Sequence, residues 1–143
     1  MTEVSLPVSL VRVVAAVASK GDRLLMCQRP ANKRHGGLWE FPGGKCERGE
    51  SDLDAMKREL REELGVSAAV VGQEELVIED PGSEFQIAFF PVEIIGEPTC
   101  HEHTALVWDT VPRLMTLPLA PSDRRYLEFR AATTRGPRPI DTV

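Results

Sequence analysis

The sequence predicts a mixed α/β domain of the α+β type, because strand-like runs precede a helix in the first half of the chain and another helix in the second. The first helical segment follows Ser51 and the second begins at Ser122. An order of strands, helix, strands and helix is typical of a mixed sheet covered by helices. The 143 residues, 42% of them hydrophobic, suit a single domain over 1–143 with its core at about 10–132.

The strand predictions rest on short apolar runs that are rich in β-branched residues and separated by turn signals. Lys20-Gly21-Asp22 joins the first two runs into a predicted hairpin, and Pro42-Gly43-Gly44 is expected to end the third. The predicted strands cover 12–19, 23–28, 38–41, 68–71, 75–78, 84–95 and 105–108. A loose tail is expected from Thr133, where the apolar pattern stops.

Charge and cysteine content exclude several classes of protein. A net charge of −5 argues against binding to nucleic acid polymers or to anionic membranes. Cys27, Cys46 and Cys100 are too few and too scattered for a disulfide framework, so we expect free thiols in a reducing compartment. The N-terminal stretch has no basic segment before its short apolar run, which argues against a signal peptide and favours a cytoplasmic location.

The first helix is expected to begin after Ser51, its N-cap, and to end at Gly65. At about 100° per residue, three carboxylates share one face of this helix, with the small Ala55 among them to leave room above. These are Glu59, Glu62 and Glu63. The expected core stripe lies roughly a quarter to a third of a turn away and consists of Leu53, Met56, Leu60 and Leu64.

Two interpretations of the acidic face are open from the helix alone. Glutamate, lysine and arginine on a helix usually form solvated pairs, each worth about 0.2–0.5 kcal/mol. The three glutamates, however, are like charges at i,i+3 and i,i+4, which is unfavourable without cations. A Gly-Gly loop lies just before the helix, and its carbonyls with the carboxylates would make an oxygen-only site that suits Mg²⁺.

The spacing that begins at Gly44 resembles a known motif. Five residues separate Gly44 from Glu50, and seven more lead to the run Arg58–Val66, which reads RELREELGV. This pattern is similar to the Nudix box, GX5EX7REUXEEXGU with U aliphatic, at every fixed position. The stretches RPANKRHGGLWEFPGGK, EHTALVW and LPLAPSD further resemble the MutT-type branch of the family, which includes enzymes that act on CTP and on modified pyrimidine nucleotides.

The resemblance implies the Nudix fold, an α/β/α sandwich around a mixed sheet in which the box forms loop, helix and loop. It implies hydrolysis, dependent on Mg²⁺ or Mn²⁺, of a nucleoside diphosphate linked to another group. A nucleoside triphosphate would give the monophosphate and pyrophosphate, and the protein would be a monomer or homodimer. The implied metal ligands are the Gly44 carbonyl and the side chains of Glu59, Glu62, Glu63 and Glu102.

The remaining implied catalytic roles concern proton transfer and positioning. Glu50 would be a secondary ligand or orient water, and Arg58 would hold a catalytic carboxylate by a charge-assisted bond. The general base would be Glu62 or Glu63, with Glu102 as the rival, although Glu102 suits a solvated loop equally well. The neighbours of Glu102, His101 and His103, are left out of the metal site because Mg²⁺ prefers oxygen ligands.

The implied substrate contacts lie around the loop before the box. Arg29 and Arg34 would bind phosphate, and the alternative for both is solvated loop charge. Phe41 would line the nucleotide pocket while also packing in the core, whereas Trp39 and Trp108 are expected in the core only. The resemblance adds three further contacts with the nucleotide: Glu40, Gly43 and Asp123.

One departure from the family pattern concerns the base. In the MutT enzyme that removes oxidised guanine nucleotides, an Asn near the second helix reads the base, and here Pro121 stands at that place. Proline has no side-chain donor or acceptor. Asp123 would accept a bond from an exocyclic amine such as that of cytosine, or else cap the helix, which favours a pyrimidine or broad specificity.

Two other functions remain as alternatives. A proline after the box, Pro81, is similar to the pattern of ADP-sugar pyrophosphatases, although it is also explained by a turn. A catalytically silent nucleotide-binding module would have the same fold, but such a protein is expected to lack box acids, and none is missing here.

Overall fold

The computed structural model describes residues 10–134. The first residues, on which the absence of a signal peptide was predicted, and the part of the predicted tail from Arg135 lie outside the described residues. Within the described range the elements are, in order, β1 Val11–Lys20, β2 Arg23–Gln28, β3 Trp39–Glu40, β4 Gly43–Lys45, α1 Asp52–Leu64, β5 Ser67–Val71, β6 Leu76–Glu79, β7 Phe85–Ile95, β8 Ala105–Thr110, α2 Val111–Leu114 and α3 Pro121–Thr134.

Strand β1 is the centre of a mixed sheet. It pairs in parallel with β7 over Val11–Ala18, and on its other edge it pairs antiparallel with β4 and, at its end, with β2. β5 and β6 pair antiparallel with the far edge of β7, whereas β8 and the short β3 pair with β2. The predicted hairpin is therefore present, but β1 and β2 pair only beside its turn before they diverge to different partners.

The core lies on both faces of β1, as its sequence requires. The run from Val14 to Ala18 is continuously buried, which is typical of a strand covered on both sides. Val14, Ala16 and Ala18 contribute to the cluster packed under α1, whereas Ala15 and Val17 contribute to the cluster that contains Leu114 of α2 and the buried residues of α3. The sheet is thus sandwiched between helices, and the predicted α+β class is confirmed.

Helix α1 has the predicted ends, and three residues of the predicted core stripe are buried as expected: Met56, Leu60 and Leu64. The Ser51 hydroxyl accepts a bond from the Asp54 N–H at 3.1 Å, and Gly65 closes the helix with a left-handed φ of 68°. The prediction for Leu53 is wrong, since this residue is 44% exposed. A helical wheel gives the angle of a side chain but not its height along the axis, and Leu53 lies in the first turn, away from the buried leucines of the later turns.

The buried face of α1 instead extends towards the acidic residues. Ala55 is fully buried in the core, so the room that was predicted above the carboxylates is filled by the sheet. Glu63 is also buried, between Ala55 and Met56 in angle around the helix. One carboxylate of the predicted acidic face is therefore inside the rim of the core rather than beside it.

Three local features were missed or displaced. The strand before Pro42 ends as expected, at Glu40, but Gly43–Lys45 form a further strand, β4, that was not predicted. Glycine lets this backbone approach β1 closely, since a Cβ on Gly43 would lie 2.0 Å from the Val14 carbonyl oxygen. The short helix α2 was not predicted, and α3 begins at Pro121, one residue earlier than expected, where proline suits the first helical turn.

The cysteines and the helix lengths agree with the composition. Cys27, Cys46 and Cys100 are free, as predicted. No helix formed by residues 10–134 is long and apolar enough to cross a membrane.

Arg12 ties the central strand to the start of α1. Its Nε and Nη2 atoms donate to the two carboxylate oxygens of Asp52 at 3.1 and 2.9 Å, and Nη1 donates to Gln86 of β7 at 2.6 Å. Nη2 also pairs with Glu74 at 2.9 Å. The hydrogen bonds of Asp52 raise the pKa of Arg12. One side chain thus fixes the N-terminus of the helix against two neighbouring strands.

We predict that Arg12→Gln lowers the free energy of unfolding by roughly 1–2 kcal/mol, because partly buried charge-assisted bonds to Asp52 are lost. Urea denaturation measures the change. Arg113→Gln is the control, since Arg113 is 74% exposed and its ion pair with Asp109 spans 3.6 Å; its effect is expected within about 0.5 kcal/mol. Equal losses in the two variants would contradict the role of Arg12.

Candidate functional site

A cleft of about 690 Å³ opens between β1, β4, the loop after β2 and the start of α3. Most of the predicted site residues line it, although they come from distant parts of the chain: Arg29, Arg34, Glu40, Phe41, Gly43, Gly44, Glu63, Glu102 and Asp123. The other predicted residues lie behind its wall, on α1 and just before it: Glu50, Arg58, Glu59 and Glu62. The fold therefore brings the acidic helix and the basic loop to one cavity.

The Gly43-Gly44 backbone forms the contact between α1 and the cleft. The Gly43 N–H donates to Glu63 Oε1 at 3.1 Å. A Cβ on Gly44 would lie 2.0 Å from Glu59 Oε2, so the Glu59 carboxylate rests directly against the Gly44 backbone. Only a residue without a side chain at position 44 lets the Glu59 carboxylate reach this position.

Burial dominates the electrostatics of these two carboxylates. Glu63 is 7% exposed, and its burial raises its pKa to about 9, while the Gly43 hydrogen bond opposes the shift. Burial also raises the pKa of Glu59, against the effect of Arg58. Glu102 adds negative potential at both groups. Ionisation of both carboxylates at once is therefore unfavourable unless a cation compensates their charge.

Arg58 organises the outer side of the acidic helix. Its Nε and Nη2 donate to Glu50 Oε2 and Oε1 at 2.8 and 2.9 Å, which holds the pKa of Glu50 at about 2 and raises the pKa of Arg58. Its Nη1 lies 3.2 Å from Glu62 Oε1 and 3.4 Å from Glu59 Oε2. Glu50 also accepts the Glu47 N–H, so both of its oxygens are engaged beside α1.

The set of predicted metal ligands suits a hard divalent cation chemically; it consists of the Gly44 carbonyl and the carboxylates of Glu59, Glu62, Glu63 and Glu102. All its members are oxygen donors, two of its carboxylates are partly or fully withdrawn from water, and they repel one another, which a cation would offset. As placed, no three Asp, Glu, His or Cys side chains among residues 10–134 already form a ligand cluster. Arg58 occupies the space between Glu59 and Glu62, and Glu62 is 46% exposed.

A second charged group around Glu40 also lines the cleft. Arg29 Nη1 lies 3.3 and 3.2 Å from the two Glu40 oxygens, and Arg29 Nε donates to the Arg34 carbonyl at 2.7 Å. His103 Nε2 lies 3.0 Å from Glu40 Oε2. Sequence reasoning missed His103, which lines the cleft; its place directly after Glu102 was the available signal.

Phe41 and Asp123 line the cleft and are joined by a hydrogen bond. The Phe41 N–H donates to Asp123 Oδ1 at 3.0 Å. The Phe41 ring lines the cleft and also packs edge-on against Tyr126 and Phe89, with ring centroids 5.3 and 6.0 Å away, so it has both expected positions. Asp123 lies within α3 and turns its carboxylate to Phe41, whereas Trp39 and Trp108 pack against the core clusters as predicted.

The chain resembles known proteins in sequence and in fold. The NUDIX domain model matches residues 9–129. A CTP pyrophosphohydrolase of Escherichia coli K12 is 39% identical over 135 residues, which cover 92% of this chain and 98% of that protein. An 8-oxo-dGTP diphosphatase of Proteus vulgaris is 36% identical over 77 residues, which cover 53% of this chain and 69% of that protein.

Solved structures agree with the sequence matches. The solution structure of the E. coli ORF135 protein matches with a TM-score of 0.75 and 39% identity, and the match covers 90% of this chain and 94% of that one. A MutT structure from a study of Aliivibrio salmonicida and Vibrio cholerae matches with a TM-score of 0.75 and 28% identity, over 86% of this chain and 98% of that one.

We predict that Asp123 makes stability depend on pH. Its burial raises its pKa from 3.8 to about 7, so the folded state binds a proton that the unfolded state has lost between about pH 4 and 7. The stabilisation is fully present below pH 4 and is lost as pH rises through 7, by up to about 4 kcal/mol. Asp123→Asn keeps the acceptor for Phe41 and removes the titration.

Urea denaturation of both proteins between pH 4 and 8 measures this effect, because titrations elsewhere cancel in the difference. The wild-type protein is expected to lose stability relative to Asp123→Asn as the pH rises. A difference that stays constant over this range would contradict the assigned protonation of Asp123.

Proposed function

This chain belongs to the Nudix family, and we propose that it hydrolyses a nucleoside triphosphate to the monophosphate and pyrophosphate with the help of a divalent cation. The observation that carries the proposal is the position of Glu63. Its buried carboxylate stands in the wall of the same cleft that Arg29, Glu40 and Asp123 line. A site for phosphates beside α1 and a site for a base beside α3 would then be one cavity.

The proposed ligands for Mg²⁺, or alternatively Mn²⁺, are the Gly44 carbonyl and the carboxylates of Glu59, Glu62, Glu63 and Glu102. When bound, such a cation neutralises phosphate charge and lowers the pKa of water. Burial of Glu63 and the close approach of Glu59 to Gly44 support this set. The cation would also reconcile an acidic chain of net charge −5 with a polyanionic substrate.

The residues of the chain would then position and deprotonate the attacking water. Glu62 or Glu63 is the proposed general base, with Glu102 as the alternative, since both Glu63 and Glu102 line the cleft. Arg58 would hold Glu59 and Glu62 in place through the contacts of its Nη1 atom. Because Glu50 is bound bidentately to Arg58, we favour a role for Glu50 in fixing that arginine over direct contact with the reacting groups.

The proposed substrate contacts divide between phosphate and base. Arg29 and Arg34 on the basic loop would contact the phosphates, with the Gly43 backbone beside them. Phe41 would pack against the base, and Glu40 and Asp123 would hydrogen-bond its polar edge. A carboxyl group with a pKa near 7 is protonated in part of the molecules at neutral pH, so Asp123 both donates and accepts, which supports a broad choice of base.

The proposed base preference rests on the polar residues of the cleft and on the relatives. The E. coli relative is named a CTP pyrophosphohydrolase, which supports a pyrimidine nucleotide as the first candidate. The relative in Proteus vulgaris is named an 8-oxo-dGTP diphosphatase, which makes an oxidised guanine nucleotide the second. Pro121, which has no side-chain donor or acceptor, favours the first candidate.

We predict that Glu63→Gln lowers kcat for metal-dependent nucleotide hydrolysis by at least about 100-fold while the fold persists, because the site loses a carboxylate that binds the cation or the proton. Pyrophosphate release from CTP, dCTP, 5-methyl-dCTP and 8-oxo-dGTP, with Mg²⁺ and with Mn²⁺, measures the activity. Glu128→Gln is the matched control, because Glu128 is exposed on α3. Full activity of Glu63→Gln would overturn the proposed site.

Product analysis separates the remaining alternatives. Release of pyrophosphate supports the proposal, whereas AMP and a sugar phosphate from ADP-ribose would support the alternative of a dinucleotide or nucleotide-sugar pyrophosphatase. Nucleotide binding in calorimetry without turnover of any compound would support a catalytically silent binding module. Sedimentation of the same sample tests the expectation of a monomer or homodimer.

A further inference from the structure

The segment Thr99–His103, here called the Glu102 segment, is attached to the last turn of α1. The Thr99 N–H donates to the Leu64 carbonyl at 3.0 Å, and the His101 N–H donates to the Glu63 carbonyl at 2.9 Å. The carbonyls at the end of a helix have no partner within the helix. The Glu102 segment therefore caps the same helix that carries the proposed metal ligands.

The imidazole of His101 extends this cap. Its Nδ1 lies 3.1 Å from the Glu62 carbonyl oxygen, and its Nε2 lies 3.1 Å from the Thr99 hydroxyl. A carbonyl oxygen only accepts, so Nδ1 carries the proton and donates. The ring lies over Gly65, where a Cβ would come within 2.9 Å of the His101 Cε1 atom. The glycine that ends α1 thus also makes room for the imidazole.

His103 attaches the other end of the Glu102 segment to Glu40, which also lines the cleft. Its side chain is 5% exposed, and its Nε2 lies 3.0 Å from Glu40 Oε2. Because an ionised carboxylate only accepts, Nε2 is the donor. The Nδ1 atom is buried without a hydrogen-bond partner among residues 10–134. The bond to Glu40 is therefore the polar contact that fixes the ring.

We propose that His101 and His103 are positioning residues, which hold Glu102 in the cleft by anchoring its two neighbours in the chain to α1 and to Glu40. This inference rests on the role of Glu102 in the proposed function. Glu102 is exposed and adds unfavourable negative potential at Glu59 and Glu63. Without anchors on both sides, like-charge repulsion favours a position of this carboxylate away from the acidic helix.

The two imidazoles can be tested with a reciprocal pair of substitutions. An asparagine amide takes the approximate place of imidazole Nδ1, and a glutamine amide that of Nε2. His101→Asn and His103→Gln therefore keep the donor to Glu62 and to Glu40, whereas His101→Gln and His103→Asn remove it. Each residue thus has a matched control of similar size and polarity at the same position.

We expect His101→Gln and His103→Asn to lower kcat about tenfold, and His101→Asn and His103→Gln to stay within about threefold of the wild-type protein. His103→Asn is also expected to raise KM, because Glu40 loses its partner at the proposed base site, whereas His101→Gln leaves KM nearly unchanged. In a Glu102→Gln background, all four substitutions are expected to change kcat less than twofold, because the group that they position is gone.

Amide hydrogen exchange gives a readout that needs no activity. Exchange of the Thr99 and His101 amides is expected to accelerate in His101→Gln and to remain slow in His101→Asn. Equal kcat and exchange in the reciprocal variants, or full additivity with Glu102→Gln, would overturn the inference while the proposed function stands. Absence of nucleotide hydrolysis by the wild-type protein, or full activity of Glu102→Gln, would overturn this role together with the assigned function of Glu102.

Discussion

The close approach of helix α1 to the Gly43-Gly44 backbone is the contact on which the rest of the structure depends. Gly43 lies so near the Val14 carbonyl that no side chain fits, and Gly44 lies equally near the Glu59 carboxylate. β4 therefore pairs with the central strand on one side and supports α1 on the other. Because the Gly43-Gly44 backbone of this strand also lines the cleft, only backbone atoms lie between α1 and the cavity at this point.

This contact places Glu63 where its ionised form is unfavourable. A carboxylate withdrawn from water is unfavourable unless it is paired. Glu63 accepts a hydrogen bond from the Gly43 N–H, while Glu59 and Glu102 disfavour its ionised form. Arg58 compensates Glu50, Glu59 and Glu62 on the outer side of the helix, but it does not reach Glu63. An uncompensated buried acid in a cleft is typical of a functional group rather than of a structural one.

The fold class, the ends of helix α1 and the family could be predicted because their signals are local. Ser51 and Gly65 fixed the helix through capping, and the spacing from Gly44 to Val66 identified the family. The predictions for Leu53 and Ala55 were wrong, and the strand Gly43–Lys45 was missed. The angle of a residue around a helix and the composition of a turn do not show which part of the sheet packs against them.

His103 was missed for a similar reason. Its side chain is held by Glu40, which is 63 residues away in the chain, and no local sequence pattern predicts such a pair. Likewise, the hydrogen bond between the Phe41 N–H and Asp123 joins residues that are 82 positions apart in the chain. This bond fixes the orientation of the Asp123 carboxylate, for which helix capping was the alternative. The first contact follows from the pairing of β2 with both β3 and β8, and the second lies beside the bridge between Trp39 and Leu119. The sequence alone did not predict these pairings.

The central claim, that buried acids of α1 hold a divalent cation, is tested most directly by thermal unfolding with and without Mg²⁺. In chelator near pH 7, Glu63→Gln is expected to unfold at a higher temperature than the wild-type protein. Burial raises the pKa of Glu63 to about 9, so the wild-type protein must take up a proton on folding, whereas the glutamine amide does not titrate. Millimolar Mg²⁺ is then expected to raise the Tm of the wild-type protein by about 3–5 °C and that of the variant by less than about 1 °C. An equal response of the two proteins, or a less stable variant in chelator, would contradict the account.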